Sequence, residues 1–195
     1  MSALSQHLIA PQLSRPTAPA VPSAERLNWL RAGVLGANDG IVSVAATVVG
    51  VAGATVGSGV LVVAGVAALV AGALSMAAGE YVSVSSQRDA ERTMRAHGVM
   101  PEDAALTNPW HAALASLLSF LIGGVIPLLV VLAPLGAARV PATFGAVVLA
   151  LVLTGAVSAR LGGSPTGRAV LRNVLGGSLA MAVTFGIGSL VGLAV

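Results

Sequence analysis

The sequence has very little charge and no cysteine. Asp, Glu, Lys and Arg make up only 9% of its 195 residues, whereas soluble domains usually have about 25%. So few charged side chains cannot cover the surface of a soluble domain of this length. The absence of cysteine excludes disulfides, thiolate metal sites and cysteine nucleophiles in this chain. Aromatic residues make up only 3%, which leaves few Trp and Tyr side chains for interfacial belts.

Lysine is also absent, so all 10 residues counted as Lys or Arg are arginines. The net charge is only +3. The arginines lie at the ends of apolar runs and form no basic stripe, so we expect no nucleic-acid partner. The sequence contains no nucleotide-binding loop, no Ser/His/Asp arrangement and no HExxH motif. We therefore expect neither an enzyme nor a bound cofactor.

The residues that are present indicate an all-α protein that crosses the lipid bilayer several times. The chain is 56% hydrophobic, and its mean hydropathy is +0.92. Residues 1–24 are rich in proline and predict a disordered tail, and residues 25–195 predict one transmembrane domain. Its five transmembrane helices are predicted at about 32–53, 60–86, 110–133, 142–160 and 170–193. Residues 87–109 form a loop, although we expect helix 2 to continue to Arg92.

The arginines also predict the orientation of these helices. An odd number of helices places the two termini on opposite sides of the membrane. With a cytoplasmic N-terminus, only Arg139 lies outside. Nine arginines then lie on the cytoplasmic side: Arg15, Arg26, Arg31, Arg88, Arg92, Arg95, Arg160, Arg168 and Arg172. The positive-inside rule favours this arrangement, with the tail and the loop 87–109 in the cytoplasm.

Two carboxylates lie where lipid disfavours them. Asp39 is inside the first apolar run and Glu80 is near the end of the second, and no charged residue lies between them. A charged side chain at the centre of a transmembrane helix costs about 2.5–3.5 kcal/mol on insertion scales, so it usually marks a functional site. The pair predicts a site for a divalent cation between helices 1 and 2.

Helical spacing adds further residues to this site. Ser43 and Thr47 follow Asp39 at intervals of four, so they share one face, and Asn38 is adjacent. Met76 precedes Glu80 by four residues on helix 2. Carboxylates with a thioether suit Fe²⁺ or Mn²⁺ better than Mg²⁺ or Ca²⁺. We predict Asp39, Met76 and Glu80 as metal ligands, with Asn38, Ser43 and Thr47 as candidates for lining the path.

Small residues within the helices predict close helix packing. Gly36/Gly40 and Gly188/Gly192 are GxxxG pairs, which let helix backbones approach in lipid. The pairs are compatible with packing inside one chain. They are also compatible with a homodimer that pairs helix 1 with helix 1, where two copies of Asp39 would meet.

Three stretches resemble the vacuolar iron transporter family: GANDGIVS (36–43), GALSMAAGEYVSVSSQRDAE (72–91) and NPWHAALASLLSFLIGGVIPLL (108–129). The resemblance covers nearly the whole chain from about residue 25. It implies five transmembrane helices, a homodimer and a metal path between the protomers. It also implies export of Fe²⁺, often Mn²⁺ as well, from the cytoplasm in exchange for protons. The transport-path Asp of the family falls on Asp39 and its Met on Met76, and Glu80 stands in the GEY segment.

The sequence departs from this family between helices 2 and 3. Full-length members insert a cytoplasmic helical domain rich in Glu and Met, which gathers metal. Here residues 88–92 run almost directly into residues 95–110, so most of that domain is missing. Glu91, Glu102 and Asp103 could be remnants, and we assign them no ligand role.

We therefore expect an integral membrane transporter of Fe²⁺ or Mn²⁺, in a bacterial-type inner membrane. Its partners would be the metal ion, the lipid bilayer and a second copy of the chain. The alternative is a membrane scaffold that transports nothing, in which Asp39 and Glu80 only hold helices together.

Overall fold

The structure, a computed structural model, describes residues 24–55 and 57–194. Five long helices and a short 3-10 turn (Gly136–Ala138) account for 88% of them, and none is in a strand. The helices are α1 (Ala24–Ala54), α2 (Ser58–Ala96), α3 (Pro109–Leu132), α4 (Arg139–Gly162) and α5 (Thr166–Ala194). All five are long and apolar enough to cross a membrane, which confirms the predicted all-α class with five transmembrane helices.

Several helices extend beyond the predicted bounds. The tail predicted at 1–24 lies outside the described residues except for Ala24, where α1 begins. Helix α2 continues to Ala96, so ten residues of the predicted loop 87–109 are helical. This segment, QRDAERTMRA, is rich in strong helix formers, which explains the continuation. At about 1.5 Å per residue, a 39-residue helix exceeds the ~30 Å hydrocarbon core and extends into water.

Helix α1 is the centre of the bundle. It contacts each of the other four helices, and α3 and α5 cover most of its surface. Residues along its length contribute to the main apolar core, among them Ile41, Val44 and Val48. The first helix is therefore enclosed by its own chain.

Glycines allow this enclosure. A Cβ atom at Gly40 would overlap the carbonyl oxygen of Phe120 on α3, and one at Gly188 would overlap the carbonyl oxygen of Gly50 on α1. Gly36 likewise lies against the backbone of α3. The GxxxG pairs thus join α1 to α3 and α5 within one chain. The Gly36/Gly40 surface is not available for pairing with a second α1.

The two ends of the bundle are closed differently. At one end Arg139 donates a hydrogen bond from Nη2 to Ser58 Oγ over 3.2 Å, which links the starts of α4 and α2. At the other end the loop between α2 and α3 folds back on α2. The backbone N–H and the hydroxyl of Thr107 donate to Glu91 Oε2 at 2.8 and 3.0 Å.

Candidate metal site

A cleft between α1, α2 and α3 brings most of the predicted site residues together. We call it the acidic cleft; its volume is about 290 Å³. It is lined by Asp39, Ser43, Gly72, Ser75, Met76, Gly79, Glu80 and Phe120. All three predicted ligands therefore face one space, together with one of the three residues predicted to line the path.

Asp39 is held by its own helix. Ser43 Oγ, one turn further along, donates a hydrogen bond to Asp39 Oδ1 over 2.8 Å. Among the described residues, no cation forms a salt bridge with Asp39. One carboxylate oxygen is thus oriented by a hydroxyl, while the charge is not neutralised by an Arg of the described chain.

Met76 lies on the α2 side of the cleft. The ring of Phe120 occupies the space beside Gly72, one turn earlier, so a Cβ atom at Gly72 would overlap the ring carbons. Gly79, one turn nearer Glu80, has open space where a Cβ would be. The aromatic ring therefore closes the cleft on one side of Met76, and the glycine leaves it open on the other.

Glu80 differs from Asp39 because it is ion-paired. Arg31 Nη2 donates to Glu80 Oε2 over 3.0 Å, and Arg31 Nη1 donates to Oε1 over 3.4 Å. The side chain of Glu80 is only 6% exposed, whereas that of Arg31 is 51% exposed. From the sequence, Arg31 is predicted only as one of the cytoplasmic arginines, and its pairing with Glu80 is not predicted. The pair supplies the positive charge that a buried carboxylate requires.

The antiparallel register of α1 and α2 explains this pairing and was readable in the sequence. Arg31 lies 23 residues before Ala54, where α1 ends, and Glu80 lies 22 residues after Ser58, where α2 begins. The two are therefore at the same height. Asp39 and Met76 lie 15 and 18 residues from the same ends, respectively. Glu80 is thus about 10 Å from the height of Asp39, whereas Met76 is within about 5 Å of it.

Two residues predicted to line the path lie elsewhere. Thr47 donates its hydroxyl to the carbonyl oxygen of Ser43 over 2.9 Å and does not line the acidic cleft. Asn38 lines a separate cavity on another side of α1. Consecutive residues of a helix point about 100° apart, so Asn38 and Asp39 face different neighbours.

The carboxylates of the loop region do not form a second acidic site. Glu91 is buried and bonded to Thr107, and it also accepts a hydrogen bond from Gln87 Nε2 over 3.0 Å. Glu102 and Asp103 are exposed in the turn after Pro101. Glu91 thus fastens the short loop to α2, a structural role that the sequence did not suggest.

The acidic cleft of one chain offers a divalent ion a small ligand set. Two carboxylates, a thioether and two serine hydroxyls border it, which is a donor set suited to Fe²⁺ or Mn²⁺. Within residues 24–55 and 57–194, no three His, Cys, Asp or Glu side chains cluster closely enough to hold a metal. One chain therefore provides part of a coordination sphere.

These features define a class: an integral membrane protein of five helices with an acidic cleft between its first two helices. Comparison of the sequence gives the family. The sequence model described as the VIT family matches residues 30–98 and 92–189, and the two matches meet at the end of α2. The chain belongs to this family, which confirms the resemblance seen in its motifs.

Plant proteins are among its relatives. It is 45% identical to vacuolar iron transporter homolog 1 of Arabidopsis thaliana, with 87% of this chain and 86% of that protein covered. It is 48% identical to vacuolar iron transporter homolog 1 of Oryza sativa subsp. japonica, with 86% and 76% covered. VIT-like transporter 1b of Glycine max is 41% identical, with 86% and 78% covered. The short loop therefore does not prevent near-complete alignment with these relatives.

Proposed function

We propose that this protein transports Fe²⁺, and Mn²⁺ as well, out of the cytoplasm through the acidic cleft. The observation that carries the proposal is that Asp39, Met76 and Glu80 line one cleft inside a five-helix membrane domain. The Arabidopsis and rice relatives are named as homologs of a vacuolar iron transporter. The direction of transport and the exchange for protons are taken from the family resemblance. A carboxylate must be deprotonated to bind metal, so proton release on binding is chemically consistent with exchange.

Within the cleft we assign different roles to the two carboxylates. Asp39 is the primary ligand, because no cation among the described residues neutralises it and Met76 lies near its height. Glu80 already has the guanidinium of Arg31 as a partner. Metal could bind Glu80 only by sharing it with Arg31 or displacing it. We therefore assign the primary binding of the ion to Asp39, and Glu80 is a secondary ligand that the ion reaches only by competing with Arg31.

Uptake of metal into proteoliposomes tests this assignment. Vesicles containing trapped calcein report Fe²⁺, kept reduced with ascorbate, or Mn²⁺ by quenching of the dye. Asp39→Asn should reduce quenching to the level of protein-free vesicles. Asp89→Asn is the matched control, because it removes a carboxylate from the exposed end of α2 and should leave uptake unchanged. Full uptake by Asp39→Asn, with equal amounts of folded protein, would contradict the assignment of Asp39 as the primary metal ligand.

The sulfur of Met76 has a separate test. Met76→Leu keeps the side-chain volume and removes the soft sulfur ligand. The apparent affinity for Mn²⁺ should therefore fall by roughly tenfold, which is the smallest loss typical of mutating a residue that supports a metal ligand. Met94→Leu changes a methionine of α2 outside the acidic cleft and is the control. Equal affinities in the two variants would remove Met76 from the ligand set.

A second copy of the chain would complete the coordination sphere, and we place it against α2. The membrane-spanning window of α2 is only 22% buried in one chain, compared with 44% for α1. Small residues lie along an exposed stripe of α2: Ala67, Ala71, Ser75 and Ala78. Helix interfaces in lipid favour small residues. Large aliphatic side chains that suit contact with lipid are exposed on α2 and α5 alike, such as Leu74 on α2 and Leu179 on α5, so the placement depends on the stripe of small residues.

The lack of native cysteine makes this dimer testable. A single Ala71→Cys chain should form a disulfide dimer in membranes treated with copper phenanthroline. Val66→Cys lies about 140° away around α2 and should not cross-link. The opposite result would place the second copy on another face.

The cytoplasmic N-terminus can be tested with the same cysteine-free background. Val99→Cys, in the loop between α2 and α3, should react with a membrane-impermeant maleimide only after the cells are permeabilised. Ala137→Cys, between α3 and α4, should react in intact cells. The reverse pattern would invert the proposed orientation. The plant relatives are vacuolar by name and give no support to the predicted bacterial inner membrane, so the labelling uses a host in which the chain is inserted into the plasma membrane and its outer side is accessible in intact cells.

One observation favours the scaffold alternative for part of the site. The ion pair between Arg31 and Glu80 joins α1 to α2, which is the role that a purely structural carboxylate would have. The two functions differ in the effect of metal. If the protein only holds helices together, neither Fe²⁺ nor Mn²⁺ should raise its thermal stability. A transporter that binds metal in the folded state must be stabilised by it.

A further inference from the structure

We infer that the protein has a binding site for an anionic phospholipid on a side of α1 that does not face the acidic cleft. The site is a cavity of about 660 Å³ between α1, α4 and α5, which we call the Arg172 cavity. Its polar lining residues are Arg31, Asn38, Ser158, Arg172 and Asn173. Its size falls within the roughly 300–1,000 Å³ typical of small-molecule sites.

The charge of the Arg172 cavity calls for an anion. Among the side chains that the structure describes, none that lines it is acidic. Arg31 is balanced by Glu80, but Arg172 has no ion-pair partner within residues 27–55 and 57–194, whose side chains the structure describes. Arg172 lies in the second turn of α5, so its guanidinium is at the arginine-rich end of the bundle. Basic cavities at the cytoplasmic ends of transmembrane helices are suited to anionic lipid headgroups.

The polar lining of the Arg172 cavity can also bind hydroxyl groups. Asn38 Oδ1 is buried and has no hydrogen-bond partner within the described part of the chain. A buried acceptor without a partner costs about 1–3 kcal/mol. A hydroxyl group of a polar guest would satisfy it, as the glycerol hydroxyls of a phosphatidylglycerol headgroup can.

An adjoining groove selects a lipid over a free phosphate. A second cavity of about 340 Å³ shares Leu30, Val34 and Leu161 with the Arg172 cavity. Its other lining residues are almost all apolar or small, and they include Leu153 and Val157 of α4. Along α4 these two residues precede Ser158, Leu161 and Gly162, which line the Arg172 cavity at the end of the helix. Along α4 the groove thus extends deeper into the membrane than the basic end, in the direction that the acyl chain of a bound phospholipid takes, while along α1 the two cavities cover the same heights.

Thermal stability of the full chain in detergent tests the site. Phosphatidylglycerol should raise the unfolding temperature of the delipidated protein, whereas phosphatidylcholine at the same concentration should not. Glycerol 3-phosphate supplies the charged group without the chains and should also have no effect. A shift with glycerol 3-phosphate would mean that the cavity binds free phosphate esters, and equal shifts with the two lipids would mean that it does not recognise charge. Either result would overturn the inference.

Variants identify the residues responsible. Arg172→Gln should weaken phosphatidylglycerol binding by roughly fivefold to tenfold, as loss of one arginine at an anionic lipid predicts. Arg168→Gln is the matched control, because it lies one turn earlier on α5 and does not line the cavity. Val157→Trp fills the apolar groove and should reduce the bound phospholipid counted by native mass spectrometry. Equal losses in Arg172→Gln and Arg168→Gln would show only general attraction to a basic surface and would contradict the site.

Discussion

Removing the two partners of the Arg31–Glu80 pair should have unequal effects on stability. Arg31→Gln leaves a carboxylate that is only 6% exposed without its cation, whereas Glu80→Gln leaves a guanidinium that is 51% exposed and can be hydrated. Breaking a fully buried pair costs about 3–5 kcal/mol. Water reaches Arg31 and screens this pair, so we expect Arg31→Gln to cost about 1–3 kcal/mol and Glu80→Gln about 1 kcal/mol or less.

The assay is thermal unfolding in detergent, followed by the fluorescence of the two tryptophans. For a domain of this size, 1 kcal/mol shifts the unfolding temperature by about 2–4 °C, so a loss of about 1–3 kcal/mol in Arg31→Gln should lower it by roughly 2–12 °C. The double variant should lose less than the sum of the two single losses, because the second change removes the charge that the first left unpaired. Arg92→Gln is the control, since its pair with Asp89 is exposed on both sides and should contribute under ~0.5 kcal/mol.

Two results would refute this reasoning. Equal losses for Arg31→Gln and Arg92→Gln would mean that the buried carboxylate does not depend on its cation. Strictly additive losses in the double variant would mean that the two side chains act independently. The same variants also test the role of Glu80 in transport: if Arg31 competes with metal for Glu80, Arg31→Gln should bind Mn²⁺ more tightly than the wild type.

Two further predictions concern packing and the short loop. Gly188→Ala should lower stability by about 1–3 kcal/mol because its Cβ overlaps the backbone of α1, whereas Gly186→Ala on the same helix meets open space and should be neutral; thermal unfolding compares them. Glu91→Ala should cost about 1–3 kcal/mol and speed proteolysis of the loop 97–108, because it leaves the backbone N–H of Thr107 without an acceptor. Asp89→Ala, an exposed change on the same helix, should do neither, and equal protease sensitivity would contradict the role of Glu91.

Most of the fold was predictable because lipid makes strong demands on composition. Long apolar runs with few charges can only be transmembrane helices in a chain of this kind, so the number of helices was readable from the sequence. The ends of the helices were less predictable, because beyond the hydrocarbon core apolar composition no longer determines where a helix stops. Residues 87–96 are polar and yet helical, and there helix propensity decides instead.

The candidate site was predictable where helical spacing alone determines which face a residue occupies. Met76 and Glu80 are four residues apart and do line the same cleft. Contacts between helices were harder to predict. The Gly36/Gly40 pair indicates that some backbone comes close, but it does not identify that backbone as α3. The position of Arg31 at the end of an apolar run is already explained by the positive-inside rule, so that position alone does not indicate a pairing with Glu80.

The ion pair and the acidic cleft are best understood together. A path for cations gains nothing from a fixed positive charge near its ligand, because like charges repel strongly where water is scarce. Arg31 is about 10 Å from Asp39 in height and is held against Glu80. Its charge is thus neutralised locally, while the negative charge of Asp39 is not neutralised by any cation of the described chain. In the transport function proposed above, Asp39 and Met76 would be the position where a divalent ion gains most, because the pairing of Arg31 with Glu80 keeps an unneutralised positive charge away from it.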